Sequence, residues 1–146
     1  MYQTIMLTLD GSTFADAAVE QAREVAAASG SHVVLLDVTP EHRGPFPFTA
    51  EVARNTERRE AIQHLQQVRD RLLAAGVSNV EIVTVRGDSP GPAIVDAARR
   101  LRCDAVVMAT HGRTGLRRLI SGSVAEHVIR HLKGTDILLV RPTVTA

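Results

Sequence analysis

Aromatic residues are the scarcest large side chains in this chain. Phe, Tyr and Trp together make up 3% of the 146 residues, and Trp is absent. Proteins that bind single-stranded nucleic acid stack its bases on aromatic faces, so the composition argues against such a platform. The core must instead come from Val, Leu, Ile and Ala, which suits a parallel sheet packed by Ala-rich helices.

Cysteine is nearly absent as well. Cys103 is the single cysteine, so it can form neither an internal disulfide nor a cysteine-rich zinc site, and a reducing compartment such as the cytoplasm is expected. Because Cys103 precedes an apolar run, we interpret it as a small buried apolar group.

A charge excess of one sign and long apolar runs are also missing. The formal net charge is +1, which indicates no polyanionic partner such as nucleic acid. No apolar run approaches the roughly 20 residues that span a bilayer. The first residues also lack a basic segment followed by a long apolar core. We therefore expect a cytoplasmic protein without a membrane or nucleic-acid partner.

Short apolar runs alternate with longer amphipathic stretches along the chain. Five runs predict strands, over residues 5–9, 32–38, 80–85, 104–110 and 136–140. Four stretches predict helices: one that Ser12 can cap and Gly30 ends, one over 51–75, one after Ser89 and one over 123–132. Strands that alternate with helices imply a parallel sheet covered on both faces, so one α/β domain over residues 1–146 is predicted.

The predicted helix over 51–75 follows an unusual connection. Residues 39–50 contain three prolines, which predicts a loop longer than most connections. The helix itself has a stripe of apolar residues at helical spacing: Ile62, Leu65, Val68 and Leu72. The helix over 123–132 has a matching stripe: Val124, Val128 and Leu132.

The segment MATHGRTGLRRLISGSVAEHV, residues 108–128, is a basic, glycine-punctuated connection between a predicted strand and the next helix. Gly112, Gly115 and Gly122 allow close backbone approaches that a β-carbon obstructs. Ser123 begins a helix whose free amides and dipole favour a phosphate. The alternative is a flexible turn with an ordinary Gly-Ser cap. The Walker pattern and the Gly-x-Gly-x-x-Gly fingerprint are both missing.

Asp10 ends the first predicted strand, in the stretch LTLDGS. This stretch looks superficially like the Asp-x-Asp-Gly-Thr box of aspartyl-phosphate hydrolases. Thr8 occupies the nucleophile position, however, which excludes covalent phosphoryl chemistry on that carboxylate. Two interpretations of Asp10 stay open: a cap for the next helix, or an acceptor for an exocyclic amine at the carboxyl ends of the strands, where such sheets bind ligands.

Several histidines and arginines have less specific surroundings. His127 and His131 are four residues apart, as zinc ligands on a helix are, but HVIRH lacks the glutamate of zinc proteases, so a solvated helix flank is preferred. Arg117 and Arg118 fit a solvated loop better than a phosphate site. His111 follows the fourth strand, where a general base can act, although no orienting carboxylate can be paired with it from the sequence.

The chain resembles the universal stress protein family along nearly its whole length. The likeness is carried by IMLTLDGS, HVVLLDV, DAVVMATHGRTGL, GSVAEHVIRH and DILLVRP. ATP-binding members share Gly, two residues, Gly, nine residues, then Gly-Ser/Thr. Gly112 matches the second glycine, and nine residues separate it from Gly122 and Ser123. Ala109 replaces the first glycine, and its methyl group crowds a ligand only if the ligand approaches that backbone closely.

The resemblance implies a nucleotide site with a role for each matched position. Asp10 and Val38 would hold the adenine. The residues that end the fourth strand and follow it would line the ribose and α-phosphate: Met108, Ala109, Thr110, His111 and Gly112. Gly122, Ser123 and Val124 would offer amides to the outer phosphates. The implied cofactor is ATP, with Mg²⁺ or Mn²⁺ on its phosphates because no carboxylate cluster provides a protein-built metal site.

The resemblance also implies an architecture and an assembly. The fold would be a Rossmann-like or flavodoxin-like sheet of five parallel strands in the order 3-2-1-4-5, with helices on both faces. The family commonly forms homodimers through strand five, here residues 136–141, whose ILLV run is an edge without charge. The implied function is a nucleotide-dependent regulatory module of the stress response rather than an enzyme. The alternatives are a slow ATP hydrolase that uses His111 and a protein that acts by protein contacts without nucleotide.

Overall fold

The computed structural model describes residues 1–11, 15–41, 45–109 and 123–141. Strands and helices alternate in the predicted order, which is β1 Thr4–Leu9, α1 Asp16–Ser29, β2 His32–Thr39, α2 Pro47–Ala74, β3 Val80–Arg86, α3 Pro90–Arg100, β4 Ala105–Ala109, α4 Ser123–His131 and β5 Asp136–Val140. Each strand begins and ends within one residue of its predicted bounds.

All five strands are parallel and form one sheet in the order β3-β2-β1-β4-β5. The expected α/β fold is therefore confirmed. Side chains of the central strand β1 alternate between two cores. Ile5 and Leu7 pack with α1 and α2, whereas Met6 packs with α3 and α4. Because helices cover both faces, the central strands appear in the sequence as nearly continuous apolar runs.

The described part of α1 runs over Asp16–Ser29, with Ala15 at its N-cap. Ser12, the predicted cap, lies outside the described residues. The predicted end is confirmed, because Gly30 adopts a left-handed conformation with φ of 67° and donates its N–H to the carbonyl of Ala26. This turn leads the chain directly into β2.

α2 begins at Pro47 rather than at residue 51, so the prediction of a loop over residues 39–50 was wrong for its last part. Proline breaks a helix interior, but it suits the first turn, where its missing N–H is not needed. The buried stripe also shifts, since Ala61 is buried and Ile62 is only half-buried. The stripe consists of Ala61, Leu65, Val68 and Leu72.

The other two helices begin as predicted. α3 has Ser89 at its N-cap, and α4 begins at Ser123. Val124, Val128 and Leu132 are buried in a core that they share with α3, so the predicted stripe of α4 is confirmed. Within the described residues, no helix combines the length and the apolar character needed to cross a membrane.

Candidate functional site

A cavity of about 500 Å³ opens at the carboxyl ends of β1 and β2. This volume is in the range of small-molecule sites. Thr8 and Asp10 line it from the end of β1, Val38 lines it from β2, and Glu57 and His64 line it from α2. The first turns of α3 complete the wall. The cavity therefore collects side chains from four separate parts of the chain.

The cavity lies where the strand order of the sheet reverses. The ladder between β1 and β4 ends with Leu7 opposite Val107. The ladder between β1 and β2 continues to Leu9 opposite Asp37. At this end of β1, Thr8 and Leu9 therefore pair with β2 but, among the described residues, not with β4. Connections leave the sheet in opposite directions at such a point, and the crevice between them is the usual ligand site of this fold class.

The pleat of β2 divides the cavity into two halves. Leu36 and Val38 point to the face covered by α3 and α4, and together with Ile94 they make this half apolar. Asp37 points to the opposite face, where His64 of α2 lines the cavity. The half next to α3 and α4 is therefore mainly apolar, with Thr8 as a polar exception, and the half next to α2 carries Asp37 and His64.

Acidic side chains dominate the charge of the cavity. Asp10, Asp37, Glu57 and Glu60 all contribute to its lining. None of the described residues that line it is a lysine or an arginine. The described lining of the cavity is therefore acidic.

Two buried polar atoms on the cavity have no hydrogen-bond partner within the described residues. They are Oγ1 of Thr8, a residue that is 4% exposed, and Nδ1 of His64. Buried polar groups in proteins are almost always hydrogen-bonded, and an unpaired one destabilises the fold.

Sequence reasoning missed Glu57 and His64, and it considered Thr8 only as an excluded nucleophile. A signal for His64 was present in the helical period of α2. His64 lies three residues after Ala61, at the edge of the buried stripe. The predicted stripe had Ile62 in place of Ala61, and its other three members were the observed ones.

The residues matched to the family motif fall into separate groups. Asp10 and Val38 line the cavity, and Ser123 is the first residue of α4. Three are buried in the core and can reach a ligand only through their backbone: Met108, Ala109 and Val124. Four lie outside the described residues: Thr110, His111, Gly112 and Gly122.

Ala109 stands where the family motif has its first glycine. It is 1% exposed and packs with Leu9 in the core next to α1 and α2. Its methyl group fills space in that core and does not contribute to the described walls of the cavity. The departure from the motif therefore leaves these walls unchanged.

His127 and His131 take part in helix packing. Their rings stack with centroids 4.0 Å apart, and Nδ1 of His131 lies 2.8 Å from the carbonyl oxygen of His127. His127 also packs on Gly91 of α3, where an added β-carbon would lie 2.9 Å from the β-carbon of His127. Across residues 1–11, 15–41, 45–109 and 123–141, no three His, Cys, Asp or Glu side chains are grouped to hold a metal ion.

Cys103 is buried in the core next to α3 and α4. Burial raises the pKa of its thiol to about 11. The thiol therefore stays protonated at neutral pH, and a protonated thiol is a poor nucleophile. The prediction that Cys103 acts as a small buried apolar group is confirmed.

Comparison with known proteins identifies a family and related chains. The sequence profile of the universal stress protein family matches residues 1–141. Universal stress protein MJ0531 of Methanocaldococcus jannaschii is 28% identical over 145 residues, which cover 97% of this chain and 84% of that protein.

Among the solved structures that are similar over nearly the whole chain, two illustrate the likeness. The structure of hypothetical protein MJ0577 superposes with a TM-score of 0.85 at 26% identity, and 99% of each chain is covered. The crystal structure of a universal stress protein in complex with cAMP superposes with a TM-score of 0.76 at 28% identity, which covers 97% of this chain and 99% of that one.

Proposed function

Because the chain belongs to the universal stress protein family, we propose that it binds an adenine nucleotide in this cavity and acts as a nucleotide-dependent regulatory module of the stress response. The position of the cavity carries the proposal. It lies at the reversal point of the sheet, and Asp10 and Val38, the residues matched to adenine binding, are on its wall. The relative in complex with cAMP supports the same class of ligand.

The charge of the cavity orients the ligand. The base and the ribose occupy the cavity, because its described lining carries carboxylates and no lysine or arginine. The phosphates point toward Ser123 at the start of α4, where free N–H groups and the helix dipole favour anions. Gly122 of the family motif directly precedes Ser123, and Gly112 lies ten residues before Gly122 in the sequence. In this arrangement the ligand is ATP, with Mg²⁺ or Mn²⁺ carried on its phosphates.

Isothermal titration calorimetry with ATP, ADP, AMP and cAMP tests the proposal. Asp10→Asn keeps the size of the side chain and removes its charge. It should weaken binding by about 10- to 100-fold, the usual effect of losing a charge-assisted hydrogen bond. Asp96→Asn is the matched control, since Asp96 is exposed on α3 and is not part of the cavity. A wild-type protein that gives no binding heat at millimolar nucleotide would contradict the proposal.

We also propose a homodimer formed through β5 and the residue that follows it, residues 136–141. β5 is an edge of the sheet, and Leu138 and Leu139 are 37% and 39% exposed on it. An open apolar edge pairs readily with another strand, whereas charge on the edge discourages pairing. Leu138→Lys should therefore convert the dimer to a monomer of 15.8 kDa, as measured by light scattering after size-exclusion chromatography.

Leu73→Lys is the control for this substitution. Leu73 is 44% exposed on α2 and is not part of β5. The same charge placed there should leave the dimer intact. A dimer that persists in Leu138→Lys places the interface elsewhere on the chain.

A further inference from the structure

Apart from Met1, the exposed large apolar side chains of the described chain gather on two surfaces. One surface consists of α4 and β5 and includes the proposed β5 interface. The other consists of α2 and the residue before it. Its exposed members are Phe46, Phe48, Val52 and Leu73. Apolar side chains that gather on a surface mark a contact site, whereas ones scattered singly do not. The α2 surface is therefore a candidate contact site.

α2 carries two separate stripes of residues. The first is the buried stripe that packs on the core. The second has eight positions spaced alternately by four and three residues, the period at which helices contact each other along their length. We name it the α2 seam, and its members are Phe48, Val52, Asn55, Arg59, Ile62, Gln66, Arg69 and Leu73. At 3.6 residues per turn, the seam lies roughly 120° around the helix from the buried stripe.

The α2 seam is complementary to itself when two copies run antiparallel. A pair centred between Arg59 and Ile62 brings each end of the seam onto the opposite end of its copy. The opposed residues are then Phe48 with Leu73, Val52 with Arg69, Asn55 with Gln66 and Arg59 with Ile62. The outermost contacts are apolar, and the two amides can exchange hydrogen bonds. The aliphatic stems of the arginines pack on apolar side chains.

Charge favours the antiparallel orientation over the parallel one. In a parallel pair in register, Arg59 and Arg69 each face the same arginine of the second copy, and such like charges repel. The antiparallel pair separates these arginines. It also places Arg69 beside Glu51 of the second copy, because Glu51 precedes Val52 on the side of the seam to which Arg69 leans. Opposed helix dipoles add to this preference.

We propose that the α2 seam is a contact surface for a second copy of this chain, which binds through its own α2 seam in the antiparallel orientation. Eight side chains from each copy are fewer than the roughly 20–30 residues that each partner gives to a stable interface, and four of the eight are polar. The pairing is therefore weak and reversible. It dissociates at the dilution of a chromatography column, where Leu138→Lys and Leu73→Lys report on the β5 dimer alone.

Disulfide cross-linking of the concentrated full chain tests both the pairing and its orientation. Phe48→Cys and Leu73→Cys are combined in one chain. The two positions are about 37 Å apart along α2, so a disulfide between them must join two copies. After oxidation in a glutathione buffer, a non-reducing gel should show at least about tenfold more covalent dimer than either single variant gives, because pairing raises the effective concentration of the opposed thiols. The native Cys103 is buried and its pKa is raised to about 11, so it stays unreactive.

Thr49→Cys combined with Ala74→Cys is the matched control. Both positions are exposed on α2 and keep the same spacing. Each lies one residue further along the helix, which turns it about 100° away from the seam. This variant should form no more covalent dimer than the single variants. In the Leu138→Lys background, which removes the β5 contact, the cross-link between Phe48→Cys and Leu73→Cys should persist.

Three results would each overturn the proposal. The first is a double variant that gives no more covalent dimer than its single variants. The second is equal cross-linking by Phe48→Cys alone, which indicates a parallel or random contact. The third is loss of the cross-link in the Leu138→Lys background, since the product then depends on β5. If the cysteines disturb the start of α2, Asn55→Cys combined with Gln66→Cys decides: covalent dimer supports the pairing, and its absence overturns it.

Discussion

Polar groups at the two ends of the parallel sheet differ in whether they find hydrogen-bond partners within the described protein. At the amino end, Oδ2 of Asp104 accepts hydrogen bonds from the N–H groups of Gln3 and Thr4 at 2.7 and 2.8 Å. At the carboxyl end, the hydroxyl of Thr8 and Nδ1 of His64 have no partner within the described residues. At the amino end the described polar groups are hydrogen-bonded within the protein, whereas at the carboxyl end two buried polar atoms beside the cavity have no partner within the described residues.

The hydrogen bonds of the amino end connect several strands. The Tyr2 hydroxyl donates to Oδ2 of Asp136 at 2.6 Å, which links the segment before β1 to β5. The backbone of Asp104 bridges the same region, since its N–H donates to Thr4 at 2.8 Å and its carbonyl accepts from Asp136 at 3.0 Å. These bonds tie β1, β4 and β5 together at the amino end of the sheet.

The largest effect should be the protection of the Cys103 thiol, which lies at the amino end of the sheet, from reaction with a thiol reagent. Raising its pKa from 9.0 to about 11 lowers the thiolate fraction near neutral pH by about 100-fold, and burial slows access further. A thiol reagent followed by absorbance should therefore label the native protein at least about 100-fold more slowly than protein unfolded in urea. Native labelling at close to the unfolded rate would show that the amino end is not closed.

The next largest effect should come from Asp104→Asn. The asparagine keeps the shape of the side chain, but it accepts the N–H groups of Gln3 and Thr4 with a neutral oxygen. We expect the Tm, measured by calorimetry, to fall by about 5 °C. Asp96→Asn is again the control, because its exposed pairing with Arg100 at 3.9 Å should be worth less than about 2 °C. Equal falls in Tm for the two variants would show that the hydrogen bonds of Asp104 stabilise the protein no more than an exposed ion pair on a helix.

The smallest effect should be the pH dependence of the Tm difference between wild type and Asp104→Asn. The N–H groups of Thr4 and Gln3 hold the pKa of Asp104 below its ordinary value of 3.8. A carboxyl group whose pKa is lowered by folding stabilises the protein above its unfolded pKa, and the contribution is lost as the pH falls through its folded pKa. The Tm difference between wild type and Asp104→Asn should be constant near neutral pH and shrink below pH 3.8. A difference that widens in acid would contradict this role for Asp104.

Secondary structure was predictable from the sequence wherever one local rule decided it. β5 is an apolar run followed by Pro142, and its bounds were predicted without error. Gly30 ended α1 as predicted, because a residue that tolerates positive φ is needed there. Pro47 was assigned to a loop because proline is compatible both with a loop and with the first turn of a helix. Such a choice depends on contacts that no local pattern contains.

The candidate site was predictable only in part, for a related reason. Asp10 and Val38 lie at strand ends, which the apolar pattern marks, and both line the cavity. Thr8 lies within β1, where the pattern predicts burial but not whether the hydroxyl finds a partner. His64 lies on α2, far from Thr8 in the chain, at the edge of the buried stripe, where the helical period alone does not decide whether a side chain lines a cavity.

By itself, the sequence determined the order of strands and helices, the parallel sheet and the likeness to one family, because apolar periods and turn residues act over a few neighbouring positions. Only the tertiary structure decided that Thr8 and His64 share one acidic cavity. That outcome depends on which faces of β1 and α2 meet at the end of the sheet, and whether a buried polar atom finds a partner is settled by the whole fold rather than by any short segment.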